Sequence, residues 1–306
     1  MKKLHYHLVD VFTDRPFGGN QLAVFTNGSG ISSETMQSLA KELNLSETTF
    51  VLPPVDPAND YRVRIFAPAV ELPMAGHPTI GTSFILAKDN VPGPPEQITT
   101  LRLEEGVGTI RVNIEWQDGH PAFIEMNQPL PTFGSRFTDA RVIADMLSVE
   151  TEAITDTGLP LEVVSCGVPI LFVPLRDLQA ARSIRFRLDV WERVLRDFET
   201  PNVFAFTMET EVKGSTVHSR AFVPASGIFE DPGTGGASGP LGCYLVRHKV
   251  LGPARKVEFQ SEQGLEIGRP SFIKIRIEQN GEGEISAVGV GGRCHFMGKG
   301  YFEIDE

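Results

Sequence analysis

Two glycine-rich turns carry side chains that could move protons and bind a small anion. The first turn contains His77 between Gly76 and Pro78, and the second runs from Asp231 through residues 232–236. An imidazole can donate or accept a proton near neutral pH, and a carboxylate can accept a hydrogen bond from a substrate amine. These residue types favour a site for a small polar metabolite.

Each turn precedes an apolar stretch, so each is expected to open a helix. The first N–H groups of a helix have no acceptor within it, and its N-terminus carries a partial positive charge, so such an end binds anions. We therefore expect a substrate carboxylate to be bound by the backbone of the two turns, at Gly76, Gly233, Thr234, Gly235 and Gly236. Taken alone, each turn is also consistent with a plain capped helix start.

The two turns belong to a longer internal repeat. Residues 64–81 and 220–237 share the order of a short apolar strand, a loop and a glycine-rich turn, 156 residues apart. This similarity indicates two related halves, each presenting one helix N-terminus.

Glu47 is a third candidate, because it stands at the start of the apolar segment 48–52. A carboxylate partly shielded at the end of a strand can have a raised pKa and act as a general acid and base. Composition does not distinguish this residue from a solvated surface glutamate.

The composition restricts the class of protein. A chain of 306 residues predicts about two domains. A net charge of −11 argues against nucleic-acid binding. No stretch approaches the roughly 20 apolar residues of a membrane span, and the N-terminus lacks a signal-peptide core. The three cysteines are widely spaced, so a reduced, cytoplasmic protein is expected.

The surrounding pattern predicts mixed or antiparallel sheets wrapped around a central helix in each half. Ser32 or Ser33 should cap a helix that runs through Glu34 to Leu43. Pro240 lies early in the last helix, so that helix should start late or kink. The other expected segments are a helix at Pro78–Ala87, a loop at Asn90–Glu96, a connector at Asn127–Phe133, a helix at 137–146, one or two helices in 178–198, and a helix from about Gly236 to Val250.

Other site classes have little support. The second turn lacks the lysine of a phosphate-binding loop and fits a dinucleotide-binding turn poorly. No Gly-x-Ser-x-Gly segment occurs, and no cluster of histidines and carboxylates has the spacing of a metal site. No metal ligand is therefore assigned.

Five segments in order resemble the PhzF family, the phenazine-biosynthesis-like proteins. The segments are residues 11–13 leading to 18–24, residues 46–51, residues 76–79, residues 230–237, and residues 263–264 before 268–271. The resemblance spans nearly the whole chain, and it adds Asn20, in the first segment, to the expected substrate-binding residues.

The resemblance implies an α+β fold like that of diaminopimelate epimerase. That fold has two pseudo-symmetric halves, each a curled, barrel-like mixed sheet around a central helix. The N-terminal half would comprise residues 1–127 plus about 286–306, and the C-terminal half residues 128–285. The active site would lie in the cleft between them.

The resemblance also implies a chemistry without metal or organic cofactor. Glu47 would move a proton between carbons of a small cyclic amino-acid-like substrate, with His77 and Asp231 assisting. Diaminopimelate epimerase instead uses two cysteines, and none of this chain's cysteines stands at either position. Family members often have serine where Gly236 stands, so a hydroxyl contact would be lost while the backbone donors remain, and a substrate that differs in shape from the phenazine precursor is compatible with the turn.

The leading interpretation is thus a PhzF-type isomerase acting on a small anionic metabolite, and family precedent suggests a homodimer. The alternative is a catalytically silent member that binds a small molecule or acts as a scaffold. A cofactor-independent racemase would need two opposed bases, and the sequence offers one clear candidate.

Overall fold

The computed structural model describes residues 2–90 and 98–304, which form two compact units. Unit 1 is Met1–Asn127 with Val290–Glu306, and unit 2 is Gln128–Gly289. The loop expected at 90–96 lies outside the described residues, except that Asn90 ends a helix.

The described residues of unit 1 form two helices and a mixed sheet. In chain order its elements are β1 (Lys2–Val11), β2 (Asn20–Phe25), α1 (Ser33–Leu43), β3 (Glu47–Leu52), β4 (Tyr61–Phe66), β5 (Glu71–Leu72), α2 (Gly76–Asn90), β6 (Ile98–Glu105), β7 (Gly108–Gln117) and β8 (His120–Gln128), the last residue of which falls in unit 2.

The predicted start of α1 is confirmed. The Ser32 hydroxyl accepts a hydrogen bond from the Thr35 N–H at 3.1 Å. Helix α2 begins at Gly76, two residues before the predicted Pro78. Because the first N–H groups of a helix have no intrahelical acceptor, Pro78 loses no hydrogen bond at its third position.

Unit 2 contains the second set of elements. They are β9 (Thr132–Phe137), α3 (Ala140–Leu147), α4 (Glu152–Thr155), β10 (Leu161–Ser165), β11 (Pro169–Pro174), α5 (Leu178–Ser183), α6 (Leu188–Val194), β12 (Val203–Thr207), β13 (Val217–Val223), a 3₁₀ turn (Pro224–Ser226), β14 (Ile228–Asp231), α7 (Gly235–Arg247), β15 (Lys256–Gln263), β16 (Ser271–Gln279) and β17 (Ile285–Gly292), whose last residues belong to unit 1. Strand β18 (Cys294–Ile304) lies in unit 1 and pairs antiparallel with β1.

The helix expected at 137–146 is confirmed as α3, which runs from Ala140 to Leu147. The connector expected at 127–133 overlaps the end of β8 and the start of β9, whose residues are mostly exposed and lack an apolar pattern. Of the late start or kink expected from Pro240, the late start was wrong, because α7 begins at Gly235, five residues before Pro240. Residues 237–245 of α7 are buried, so packing outweighs the hydrogen bond that Pro240 cannot donate.

The two units repeat one pairing scheme, which confirms the predicted duplication. In unit 1, β1–β2, β3–β4, β4–β5 and β6–β7 pair antiparallel, whereas β2–β3 and β4–β6 are parallel. In unit 2, β10–β11, β12–β13, β13–β14 and β15–β16 are antiparallel, whereas β11–β12 and β13–β15 are parallel. Thus β6 corresponds to β15, and α2 corresponds to α7.

Each sheet packs on one buried helix. Helix α2 contacts β1, β2, β3, β7 and β18, and residues 76–87 are buried throughout. Helix α7 contacts β10, β11 and β16. A helix that is buried on all sides belongs to a core and not to a surface. Among the helices of residues 2–90 and 98–304, none has the length and apolarity to cross a bilayer.

A buried histidine ties together the end of β15 and the loop after it. His218 Nδ1 lies 2.9 Å from Glu262 Oε1, and its Nε2 lies 2.8 Å from Glu266 Oε1. Burial opposes a charge on this ring, but the hydrogen bonds to Glu262 and Glu266 outweigh it and raise the pKa of His218 to about 9. His218 is therefore an imidazolium at neutral pH.

We expect His218→Gln to destabilise the protein in a pH-dependent way. Because the folded-state pKa is raised from 6.5 to about 9, the protonated ring stabilises the folded state fully below pH 6.5. This contribution, on the order of 3 kcal/mol, is lost as the pH rises through about 9. Urea denaturation should show a wild-type advantage that is greatest at and below pH 6.5, shrinks between pH 6.5 and about 9, and is largely gone above that pH. His120→Gln, at an exposed histidine, is the control, and an advantage independent of pH would contradict the assignment.

Candidate active site

Three predicted residues meet in unit 1. Asn20 is the first residue of β2, Glu47 is the first residue of β3, and His77 is the second residue of α2. Strands β2 and β3 are parallel, so their first residues lie at one edge of the sheet. His77 Nδ1 is 3.0 Å from Asn20 Nδ2, and His77 Nε2 is 3.2 Å from Glu47 Oε2. The structure therefore joins the imidazole to both side chains.

Burial decides the charge of His77. The side chain is 3% exposed, and burial lowers the pKa of His77 to about 3, against a smaller opposing effect of the Gln21 backbone. The ring is thus neutral at neutral pH and has one N–H. Because the Asn20 amide nitrogen donates to Nδ1, the ring proton is on Nε2, the nitrogen that lies 3.2 Å from Glu47 Oε2.

Close packing of α2 on the sheet fixes this geometry. A Cβ atom at Gly81 would lie 2.7 Å from side-chain atoms of Val11 and Leu22, so glycine lets the helix approach β1 and β2. The hydroxyls of Thr49 on β3 and Thr82 on α2 share a buried hydrogen bond of 2.8 Å. These contacts hold α2 against the strands that carry Asn20 and Glu47.

The second turn, in unit 2, is held by a side chain of the segment 263–264, to which the family resemblance assigned no role. Gln263, at the end of β15, donates from Nε2 to the backbone oxygen of Asp231 at 2.7 Å and to Thr234 Oγ1 at 2.9 Å. Its Oε1 accepts the Thr234 N–H at 3.0 Å. Thr234 Oγ1 in turn donates to Asp231 Oδ2 at 2.6 Å. The Asp231 carboxylate is therefore fixed within its own turn.

The backbone donors of the second turn differ in how they are used. The Thr234 N–H is donated to Gln263, so this expected substrate donor is engaged within the protein. Gly235 and Gly236 open α7, where N–H groups have no intrahelical acceptor. Gly76 occupies the corresponding position in α2. These three glycines retain the geometry expected of an anion-binding backbone.

The backbone at position 264, directly after Gln263, has room only for glycine. Its φ is +75°, and a Cβ atom there would lie 2.5 Å from the backbone oxygen of Pro232 and closer still to that of Arg269. Only glycine fits this approach without displacing the turn that carries Asp231.

The cysteines lie away from the turns, as expected. Cys243 is buried inside α7 with its Sγ 3.9 Å from Cys166 Sγ, and Cys294 begins β18. Across the part of the chain that the structure describes, no group of three or more histidine, cysteine or carboxylate side chains is arranged to hold a metal ion.

Comparison with known proteins decides the family. A family model described as phenazine biosynthesis-like protein, PhzC-PhzF, matches residues 9–300. The chain belongs to the PhzF family. A PhzF relative from Pseudomonas aeruginosa, named trans-2,3-dihydro-3-hydroxyanthranilate isomerase, is 38% identical over 287 residues, which cover 94% of this chain and 95% of the relative. Curated PhzF relatives at 35–38% identity are named isomerases, and this chain is an isomerase of that family.

Solved structures confirm the expected fold class. A PhzF-family protein from Bacillus anthracis has a TM-score of 0.88 at 26% identity and covers 99% of this chain and 100% of its own. A probable proline racemase from Agrobacterium radiobacter has a TM-score of 0.70 at 12% identity, over 98% of this chain and 93% of its own. That identity shows the fold alone, which is the α+β fold of the diaminopimelate epimerase type.

We expect Gly264→Ala to destabilise the protein more than Gly268→Ala. Both glycines have a φ of +70° to +75°, so the backbone strain of an alanine is matched. A Cβ atom at Gly268 meets open space, whereas at Gly264 it meets two backbone oxygens. The extra cost at Gly264 should be about 1–3 kcal/mol, measured as the free energy of unfolding in urea. Equal losses in the two variants would contradict the tight fit against Pro232.

Proposed function

We propose that this PhzF isomerase moves a proton between two carbons of trans-2,3-dihydro-3-hydroxyanthranilate or a similar cyclic amino-acid carboxylate, with Glu47 as the general acid and base. The contact of Glu47 with the neutral His77 carries the proposal. The name of the Pseudomonas aeruginosa relative supports the choice of substrate.

Glu47 suits the task by its place in the fold. The residue is 8% exposed, and it lies at a strand end beside an uncharged ring. A carboxylate takes the proton from one ring carbon and returns it to another, so the reaction balances without any other reactant. Because one group both accepts and donates the proton, the site must hold that group in a fixed position relative to the substrate.

His77 supports Glu47 as a neutral hydrogen-bond donor. Since burial keeps the imidazole uncharged, it can direct its Nε2–H at the Glu47 carboxylate or at a substrate oxygen without a competing positive charge. Asn20 fixes this tautomer through Nδ1, which extends the role of Asn20 beyond the substrate contact expected from the sequence.

Asp231 and the helix starts supply substrate binding in this proposal. The Asp231 carboxylate would accept a hydrogen bond from the substrate amino group, and Thr234 would hold that carboxylate in place. The N–H groups of Gly76, Gly235 and Gly236 would bind the substrate carboxylate. No cofactor enters the proposed reaction, because the proton leaves and returns to one molecule.

We expect Glu47→Gln to lower kcat by about 100- to 10,000-fold, because the amide does not accept the proton. Substrate binding should change little, since the amide keeps the size of the carboxyl group. The measurement is isomerisation of trans-2,3-dihydro-3-hydroxyanthranilate in heavy water, scored for both turnover and deuterium uptake.

Glu42→Gln is the matched control, because it makes the same change at an exposed position of α1. Proton exchange at the wild-type rate in Glu47→Gln would sink the assigned role of Glu47. Binding of cyclic amino acids by the wild type with neither turnover nor exchange would instead support a silent binding member of the family.

A further inference from the structure

A second buried carboxyl group, Glu105, lies beside the turn that carries His77. Glu105 ends β6 and is 6% exposed. Its Oε1 lies 2.5 Å from Thr79 Oγ1, and the same hydroxyl oxygen lies 2.6 Å from the backbone oxygen of Ala75. A hydroxyl has one proton to donate, so both contacts are hydrogen bonds only if Glu105 supplies a second proton. The chain of donors then runs from Glu105 through Thr79 to Ala75.

The other carboxyl oxygen of Glu105 also indicates that the group is protonated. Glu105 Oε2 is buried and has no hydrogen-bond donor among the described residues. An ionised carboxylate would be poorly compensated there, whereas a neutral acid costs much less. Burial raises the pKa of Glu105 to about 8, although the Thr79 hydrogen bond acts in the opposite direction.

Charged groups near Glu105 are occupied elsewhere or lie along the adjoining surface. Arg64 on β4 forms two hydrogen bonds of 2.7 Å with Glu71 on β5. Glu104 accepts hydrogen bonds from the backbone N–H groups of residues 55 and 56. Arg62 on β4 lies opposite Glu104 in the strand register. On α2, the titratable residue nearest to Thr79 in sequence is His77, which is neutral. Thr79 is the side chain that hydrogen-bonds Glu105 within residues 2–90 and 98–304.

Unit 2 has a related arrangement with an amide in place of the acid, although its threonine, Thr234, precedes α7 whereas Thr79 lies within α2. Gln263 ends β15, the counterpart of β6, and donates to a threonine hydroxyl and to the backbone oxygen of Asp231. Asp231 stands 156 residues after Ala75, which is the offset of the internal repeat. The amide of glutamine and a protonated carboxyl group have the same shape, and each has a donor and an acceptor.

The glycine after each of these residues lies against the backbone of a proline that precedes the central helix of its unit. A Cβ atom at Gly106 would lie 2.9 Å from the backbone oxygen of Pro73, as one at Gly264 would lie 2.5 Å from that of Pro232. The Val107 N–H also donates to the Pro73 oxygen at 3.2 Å. We call Glu105–Gly106 and Gln263–Gly264 the turn supports, because each holds the segment that precedes a central helix.

We propose that Glu105 acts in its protonated form as a positioning residue, the counterpart of Gln263, and holds the turn that presents His77. The effect on catalysis rests on the proposed function, whereas the protonated support itself does not. The matched variants are Glu105→Gln, which copies the protonated form, and Glu105→Ala, which removes it. Glu115→Gln, at an exposed position of β7, is the control for loss of a carboxylate.

Two measurements test the support without activity. The infrared difference between wild type and Glu105→Gln near pH 6 should contain the C=O band of a buried carboxylic acid. The melting temperature of Glu105→Gln should rise relative to wild type between pH 4.5 and about 8. Over that range Glu105 is ionised in the unfolded wild type but protonated in the folded wild type, so the free energy of unfolding of the wild type falls as the pH rises. Glu115→Gln should show neither effect. Absence of the band, or a melting difference independent of pH, would overturn the proposal.

Activity then tests positioning. We expect wild-type activity to decline above pH 8 as Glu105 ionises. Glu105→Gln should keep kcat/KM within about threefold of wild type and lack this decline, whereas Glu105→Ala should lose about 10- to 100-fold. If Glu105→Ala fails to fold, the pH profile of Glu105→Gln still decides the matter. An unchanged alkaline decline in Glu105→Gln would overturn the role in positioning. A wild type inactive on the proposed substrate would count against the proposed function alone, since the infrared and melting results stand independently.

Discussion

The candidate active site depends on one buried contact, in which His77 is held uncharged between Asn20 and Glu47. Removing an imidazole from water without full compensation favours its neutral form, and the low pKa of His77 follows from that burial. A neutral ring has one donor and one acceptor, so the Asn20 contact leaves its proton on Nε2, the nitrogen beside Glu47. The position of α2 and the order of β2 and β3 serve to bring these three residues together.

Duplication explains much of the remaining architecture. The two units repeat one pairing scheme and one buried helix, yet their turns have diverged. Unit 1 presents a histidine and unit 2 presents an aspartate that is fixed by Thr234 and Gln263. His218 is an imidazolium between two glutamates, whereas His77 is neutral, although both are buried. The difference lies in the hydrogen bonds that His218 donates to Glu262 and Glu266, which shows that burial alone does not set the charge of a histidine.

The sequence predicted the parts of the site that are encoded locally. Glycine, proline and a polar residue in short order predict a helix start, and the repeat identified two of them. The contact of Asn20 with His77 joins residues 57 positions apart and depends on the tertiary fold. Glu105 is a single polar residue at a strand end, and no local pattern distinguishes it from a solvated one. Gln263 lies in a segment of the family resemblance, but its role depends on tertiary contacts with the second turn. Strand β9 was missed because its exposed residues carry no apolar alternation, and the role of Glu47 came from the family resemblance.

The most direct test of the central claim is the protonation of His77, measured by nitrogen NMR of histidine-labelled protein with His77→Gln for assignment. The account predicts a neutral ring, with the proton on Nε2 and a bare Nδ1, throughout the range from pH 8 down to about pH 5. His218 should appear in the same spectra as an imidazolium up to about pH 9, which provides an internal reference. An imidazolium signal from His77 at neutral pH would contradict the account, because Glu47 would then face a cation.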